Sequence, residues 1–352
     1  MPAAASAMRI AAVSHALPSS RLTTGGVLDL IRSHSRDRMD ATSLARLTDA
    51  VEAFCAAAGT EVRHVLADDE KAVDVALRAS RRALDEAGVA PGDVDLIIYA
   101  AVGRGWLEPA MATAIHGELG LPNATSFDVL DACASWLRAL HVAHGFLTTG
   151  AYRCALIVGC ECGLYRAWAD FRFDDAVSLE HRLAAFTIGE AATATVVVAD
   201  PDRDDWMFAF RTFPEFFDLC MLPLAGLADF HPGTPDERCV PERLFSLSRP
   251  LVAAGARRVA EVWDSLPELR ARGADIGFGH NPSEPACALV ARRLGMQDRF
   301  FPTHREYGNT VSAALPLGLS VAREAGRLER GARVLLVVGS AGITVGFGSF
   351  TF

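Results

Sequence analysis

No run of apolar residues in this chain reaches the roughly 18 needed to cross a bilayer. The opening stretch, MPAAASAMRIAAV, lacks the basic leader of a secretory signal. These absences predict a soluble cytoplasmic protein with no membrane partner. Positive charge is not in excess either. Lys and Arg number 34 against 43 Asp and Glu, a formal net charge of -9, and a nucleic-acid partner calls for a basic surface. Cys160-Glu161-Cys162 is not a CxxC and no second half of a zinc site follows, so no metal is expected. No GxSxG elbow occurs, which removes the usual serine-hydrolase reading. The pairs Gly103/Gly105, Gly277/Gly279 and Gly346/Gly348 lack a third spaced glycine and are weak dinucleotide signals.

What is present is a long apolar chain. Its 352 residues amount to about two domains on a prior of roughly 150 each. Half of them are hydrophobic, enough for a large core. The eight cysteines (55, 133, 154, 160, 162, 220, 239 and 287) are irregularly spaced, and several lie in apolar runs, which predicts free thiols in a reducing compartment. Cys154, Cys160 and Cys162 read as core. Met8 to Leu17 reads as a strand. Residues 33–67 read as helix and loop near an entrance. Asp68-Asp69-Glu70 reads as the acidic first turn of an amphipathic helix that stops at Gly88. Asp95 to Val102 and Ala155 to Gly159 read as strands buried on both faces. Residues 163–185, rich in Arg, Asp and aromatics, fit no regular element and read as a loop over a site.

The order then repeats. Helices are expected over 251–263, 284–294 and 311–325, and strands over 274–279, 334–338 and 343–351. "CALIVGCECG" sits where "RVLLVVGSAG" sits later, and "DLIIYA" matches "DIGFGH" in the same way. Two such halves, 1–200 and 201–352, each a sheet covered by helices, predict an α/β body of five layers, α/β/α/β/α. Sites in such sheets collect at strand C-terminal ends. Cys133, His280 and Asn309 all follow predicted strands there. Thr125 to Leu137 passes from strand to helix through Cys133, and a cysteine at a helix N-terminus is favoured as thiolate. That suits a covalent nucleophile. Neutral His280 and Asn309 can donate hydrogen bonds to an enolate oxygen. The backbone N–H of Cys133 and one from the Gly-rich stretch Gly339-Ser340-Ala341-Gly342 can hold a second oxyanion. Each residue also has a plain structural alternative: a core thiol, a loop histidine, and a turn or cap asparagine.

Four segments carry a resemblance. "SFDVLDACASWLRAL", "GHNPSEPACALVARRLGM", "YGNTVSAALPLGL" and "GSAGITVGFGSF" resemble, in order, the nucleophile, histidine, asparagine and glycine-rich segments of ketoacyl-acyl-carrier-protein synthase III, in the thiolase superfamily. The resemblance implies a duplicated five-layer fold, a homodimer, and ping-pong acyl transfer from a coenzyme A or carrier-protein (phosphopantetheine) thioester, with no permanently bound cofactor. It makes Cys133 the nucleophile and His280 with Asn309 the pair that activates the second substrate. The family usually has His-Gln-Ala-Asn followed by an arginine. This chain has His280-Asn281-Pro282-Ser283-Glu284-Pro285. The family's early tryptophan and arginine segment is unrecognisable in 52–66, and Gly189-Glu190-Ala191-Ala192 replaces Gly-Asp-Gly-Ala. A specialised pathway follows better than housekeeping fatty-acid initiation.

Decarboxylative condensation with a malonyl thioester is therefore expected. Acyl transfer to an oxygen, nitrogen or sulfur acceptor, with His280 as general base, is the alternative. A non-catalytic partner subunit is a third reading, against which the intact Cys133 speaks. An acidic carrier needs a basic patch; Arg292-Arg293 and Arg257-Arg258 are the candidates, with a solvated helix face as the plain reading. Trp106, Met111, Phe171, Phe173, Phe213, Phe216 and Phe217 are candidates for an acyl tunnel or a dimer contact, or simply for core.

Overall fold

The computed structural model describes residues 7–175, 179–203, 205–230 and 239–352. Two mixed sheets organise it. The first holds β1 (Ala7–Ala16), β2 (Leu96–Tyr99), β3 (Thr125–Asp128), β4 (Cys154–Glu161) and β5 (Ala191–Asp200), in the spatial order β1-β5-β4-β2-β3. β2 runs parallel to β3 and β4, while β5 is antiparallel to β4 and β1. The second holds β6 (Met207–Phe216), β7 (Ile276–Gly279), β8 (Arg333–Ser340) and β9 (Gly342–Thr351), in the order β7-β8-β9-β6. Its pairings repeat the first: β7 is parallel to β8, and β9 is antiparallel to β8 and β6. The place of β3 is taken in the second sheet by one parallel bridge, Gly277 to Phe300. All four residues of β2 and of β7, and all eight of β4, are buried. This is why these strands carry unbroken apolar runs.

The helices fill three layers. α1 (Ala41–Ala58) belongs to a cap, where Leu47, Val51 and Cys55 pack on Phe173 and Phe186. α2 (Ala72–Ala87) covers the outer face of the first sheet through Val75, Ala76, Ala79 and Ala83. Between the sheets lie α3 (Ser135–Thr148) and α6 (Ala314–Glu324), whose Trp136, Leu140, Leu315 and Leu319 share one core with Ile10, Ile98, Phe278 and Leu336. α4 (Ser248–Asp264) packs with Val259 and Val262 on the outer face of the second sheet. α5 (Glu284–Arg293) lies beside it. The five layers and the duplication are as the sequence predicts. Burying a full apolar side chain contributes about 1.5–3 kcal/mol, so the shared central layer is what welds the halves together. No helix among the described residues is long and apolar enough to cross a membrane.

Some expectations change. α2 starts at Ala72, not at Asp68. The Glu70 carboxylate is drawn to the Ser19 N–H at 2.9 Å and to Arg78 at 2.9 Å, so the acidic triplet forms the turn before the helix. Residues 33–67 contain the 18-residue α1 and a strand, Val62–Val65, paired with Ser20–Thr23. Residues 163–185 are not all loop: a helix covers Leu164–Trp168 and a 3-10 turn begins at Leu183, while 176–178 lie outside the described residues.

Candidate active site

The nucleophile segment is an elbow between β3 and α3. Ala132 takes φ 45°, a left-handed value that costs a non-glycine residue on the order of 1–2 kcal/mol. Four contacts from two hydroxyls hold the bend. The Ser135 hydroxyl accepts the Asp131 N–H at 2.8 Å and donates to the Ala132 carbonyl at 2.7 Å. Ser340, arriving from the other half at the end of β8, donates to the Asp131 carbonyl at 3.1 Å and accepts the Ala134 N–H at 3.3 Å. Cys133 sits at the apex, facing a cavity of about 630 Å³ that His280, Asn309, Ser340 and Ala341 also line.

The thiol is not depressed, as a helix N-terminus alone would predict. Burial pushes Cys133 up, and Cys220 and Glu161 nearby push the same way. The N–H groups of Ala341 and of Cys133 itself oppose them at the sulfur. Burial wins because desolvation penalises the charged thiolate by more than the two backbone donors favour it. The resting group is a thiol, held where two backbone donors converge.

His280 follows β7 directly, its N–H bonded to the Val337 carbonyl at 3.0 Å. Burial and the neighbouring His304 bring its pKa down to about 4, against the Val311 carbonyl, which favours the cation. His280 is therefore neutral at ordinary pH. His304 is fixed by Asn281 O at 2.8 Å and Thr60 Oγ1 at 2.7 Å. The segment after His280 is a helix cap: Ser283 Oγ accepts the Ala286 N–H at 3.3 Å, and Pro285 occupies the first turn of α5.

Asn309 is anchored to the 187–189 segment that leads into β5, through a parallel bridge to Ile188. Its N–H donates to Thr187 O at 2.8 Å, and its carbonyl accepts the Gly189 N–H at 3.1 Å. The two chains touch so closely that a Cβ on Gly189 would lie 1.8 Å from the Tyr307 carbonyl, and one on Gly308 (φ 67°) 2.6 Å from that of Thr187. Only glycine fits at either position. The Asn309 side-chain oxygen accepts the Val311 N–H at 3.0 Å, which leaves its NH₂ group as the donor.

Glu161, the last residue of β4, has no role in the sequence reading beyond the Cys160-Glu161-Cys162 triplet, although it is a charge closing an apolar strand. It is fully buried and accepts from the N–H groups of Val102 (3.0 Å), Gly103 (2.8 Å) and Ser312 (3.3 Å) and from the Ser312 hydroxyl. Burial nonetheless raises its pKa. The aromatic candidates do not line this cavity, and for Phe173 and Phe213 the core alternative holds. The cavity's aromatic rings are Phe54, Trp168 and Phe300. None of the seven named aromatic or methionine residues lines it. Trp106 is 43% exposed, Phe171 and Phe173 pack in the cap, and Phe213 lies under Arg258. Of the arginines, Arg258 is engaged by Glu215 and Glu261 and Arg293 by Asp264, whereas Arg257 and Arg292 are exposed. Cys154, Cys160 and Cys162 are buried in the core as expected. The Gly342–Ile343 peptide is cis.

The same segments carry the relationship to known proteins. Residues 127–212 match 3-oxoacyl-[acyl-carrier-protein (ACP)] synthase III, residues 268–351 its C-terminal part, and residues 51–162 the thiolase N-terminal domain. A beta-ketoacyl-[acyl-carrier-protein] synthase III of Sphingopyxis alaskensis is 31% identical over 290 residues, which is 82% of this chain and 86% of that protein. The chain belongs to the ketoacyl synthase III family. It is an acyl-transferring, condensing enzyme with the thiolase fold. Among solved structures, cerulenin-bound OleA of Xanthomonas campestris superposes with a TM-score of 0.83 at 23% identity, covering 98% of this chain and 97% of that one. FabH of Xanthomonas oryzae pv. oryzae does so with 0.78 at 22% identity, covering 98% and 99%. Another OleA structure contains lauric acid and lauroyl-CoA.

Proposed function

We propose that this ketoacyl synthase III relative loads an acyl group from a coenzyme A or carrier-protein thioester onto Cys133 and condenses it with a malonyl thioester, in a specialised lipid or secondary-metabolite pathway. The observation that carries this is the convergence of a backbone-held thiol, a neutral histidine and an amide donor on one cavity. Cys133 attacks the donor carbonyl, and the oxyanion meets the N–H groups of Cys133 and Ala341, which already face the sulfur. The donor thiol leaves with the cysteine's proton. In the second half, the malonyl carboxylate departs as carbon dioxide and the enolate oxygen is held by His280 and the Asn309 NH₂. The enolate carbon then attacks the acyl-Cys133 carbonyl, and the Cys133 sulfur leaves as a thiolate that takes up one proton from solvent.

A histidine held at about 4 is a good neutral donor and a weak base at pH 7. This supports condensation over transfer to an alcohol or amine, in which His280 would have to take a proton. A homodimer and a carrier docking face that includes Arg257 and Arg292 complete the proposal. Intact-protein mass spectrometry after exposure to acyl-coenzyme A and acyl-carrier thioesters tests it. An adduct on Cys133, discharged by malonyl thioester with release of carbon dioxide, is the expected result. An adduct that only alcohols or amines discharge would overturn the condensation, and the lack of any adduct would overturn the self-sufficient enzyme.

A further inference from the structure

His304 takes no part in the chemistry proposed above, yet it is 1% exposed and both of its ring nitrogens are bonded. The Asn281 carbonyl, 2.8 Å from Nδ1, can only accept, so Nδ1 carries the proton. Burial lowers the pKa of the ring and favours its neutral form. Nε2 of the neutral ring then accepts the Thr60 hydroxyl proton at 2.7 Å. The site thus builds in one tautomer. His280 is the opposite case: its Nδ1 is buried and has no partner among the described residues.

What His304 holds is the peptide that follows His280. Asn281 is 2% exposed and is bonded through its carbonyl and both side-chain polar atoms. The carbonyl accepts from His304, Nδ2 donates to Thr303 Oγ1, and Oδ1 accepts the Cys287 thiol. The same thiol lies 3.5 Å from the His280 carbonyl. Thr303 precedes and His304 opens the short helix His304–Tyr307, which runs into Gly308 and Asn309. Two of the three ties on Asn281 therefore join the residue after His280 to the segment that ends in Asn309. Thr60 steadies the far side of the imidazole, where the Glu61 N–H donates to the Arg305 carbonyl at 3.2 Å. No bond to Nδ1 aims the His280 ring, and the Val311 carbonyl that the ring meets lies two residues past Asn309. The aim of the ring is set by how the two segments sit on each other. The family's usual His-Gln-Ala-Asn reads His280-Asn281-Pro282-Ser283 here, and the substituted Asn281 is the residue that makes this joint.

We infer that His304 is a positioning residue for the condensation step: its Nδ1–H clamps the Asn281 carbonyl onto the segment of Asn309 and so fixes the spacing of His280 and Asn309. That these two donors serve condensation rests on the function proposed above. The variants His304→Leu, His304→Asn, His304→Gln and Thr60→Val test the inference. Asparagine puts an amide nitrogen where Nδ1 stands, and glutamine puts one where Nε2 stands. Rapid-quench kinetics read acylation of Cys133 and discharge of the acyl-enzyme by malonyl thioester as separate steps. Leucine should slow discharge by about tenfold or more and leave acylation within about twofold, because small misplacements of reacting groups are costly in rate. Asparagine should recover most of that loss and glutamine should not. Thr60→Val removes only the partner of Nε2 and should hold both steps within about twofold. Crystal structures of the leucine and asparagine proteins give a readout free of any reaction. The separation of the His280 ring from the Asn309 amide should change with leucine and return with asparagine. Equal slowing of both steps by leucine, rescue by glutamine as good as that by asparagine, or an unchanged separation in the leucine protein overturns the inference. If the leucine protein does not fold, the contrast between asparagine and glutamine decides in its place. If the wild-type enzyme is never discharged by a malonyl thioester, the proposed function fails and the crystal structures still decide this inference.

Discussion

The two halves of the chain build the same elbow and use it differently. In the first half Ala132 takes φ 45°, Cys133 follows, and α3 begins at Ser135. In the second half Val311 takes φ 51°, Ser312 follows, and α6 begins at Ala314. Cys133 and Ser312 are thus counterparts, each at the head of a central helix. The strand ends correspond as well: β4 closes on Glu161 and β8 on Ser340. Each strand end reaches across to the other half's elbow. Ser340 holds the backbone around Cys133, and Glu161 holds Ser312 by its N–H and hydroxyl. One elbow presents its side chain to the cavity. The other has its side chain 1% exposed and tied to a carboxylate. The comparison teaches that the strained turn is part of the scaffold and that chemistry was added to only one copy.

The largest contrast should come from exchanging the roles. Cys133→Ala should lower turnover by roughly 10³-fold or more, as loss of a covalent nucleophile does, and erase the acyl adduct. Ser312→Ala removes one hydrogen bond to Glu161 and should leave the adduct in place. Mass spectrometry of both variants with the same thioester checks this. A Ser312→Ala protein that no longer acylates would break the division between a reacting and a structural elbow.

Glu161→Gln comes next. The carboxylate receives three backbone N–H groups and one hydroxyl. A glutamine must turn its NH₂ toward one of those donors. Leaving a buried donor unpaired costs about 1–3 kcal/mol, more when a charge is lost, so the denaturation midpoint should fall by about 3 kcal/mol in equivalent stability. Because Ser312 lies three residues beyond Asn309, the condensation step should slow more than the acylation step. Equal slowing of both would mean that Glu161 acts on the whole cavity and does not hold one elbow.

Much of this was legible beforehand, for physical reasons. Strands buried on both faces must be apolar throughout, so LIIY and CALIVG announced themselves and their repetition announced the duplication. Cys133, His280 and Asn309 could be placed together because each follows a strand at the same end of its sheet. The cross-brace could not be read, because a contact between residues 161 and 312 is set by how two sheets stack. The thiol's acidity was misjudged for a similar reason: the helix end is a local feature, whereas burial is a property of the cavity. The seven residues from Trp106 to Phe217 were grouped by composition, and composition does not say which face of a strand or cap a ring occupies. α2 began late because Ser19, fifty-one residues before Glu70, captured the capping carboxylate.

His280 separates the halves by pH. Its folded pKa of about 4 lies below the ordinary value of about 6.5. The unfolded chain therefore takes up a proton first as pH falls. Stability is fully present above about 6.5 and is lost on acidification toward 4, by on the order of 3 kcal/mol at most, since the ring still touches the cavity. Substituting His280→Asn should flatten that part of the stability profile and leave the profile above pH 7 unchanged. An imidazole that titrates near 6.5 in the folded protein would remove the argument that His280 acts as a neutral donor.

The smallest effect should come from the brace on the reactive side. Ser340→Ala deletes two hydrogen bonds, at 3.1 and 3.3 Å, to backbone groups on either side of Cys133. Neutral hydrogen bonds of this kind contribute about 0.5–1.5 kcal/mol each, so a loss of about 1 kcal/mol in stability is expected. The elbow keeps its Ser135 contacts and should not collapse. What Ser340 adds is precision at the sulfur, next to the Ala341 N–H. The acylation rate constant should therefore fall by about tenfold while decarboxylation by the preformed acyl-enzyme, which depends on His280 and Asn309, changes little. Rapid-quench measurement of the two half-reactions distinguishes them. If decarboxylation falls as far as acylation, Ser340 is acting on both halves at once, and the two elbows are less independent than their separate braces suggest.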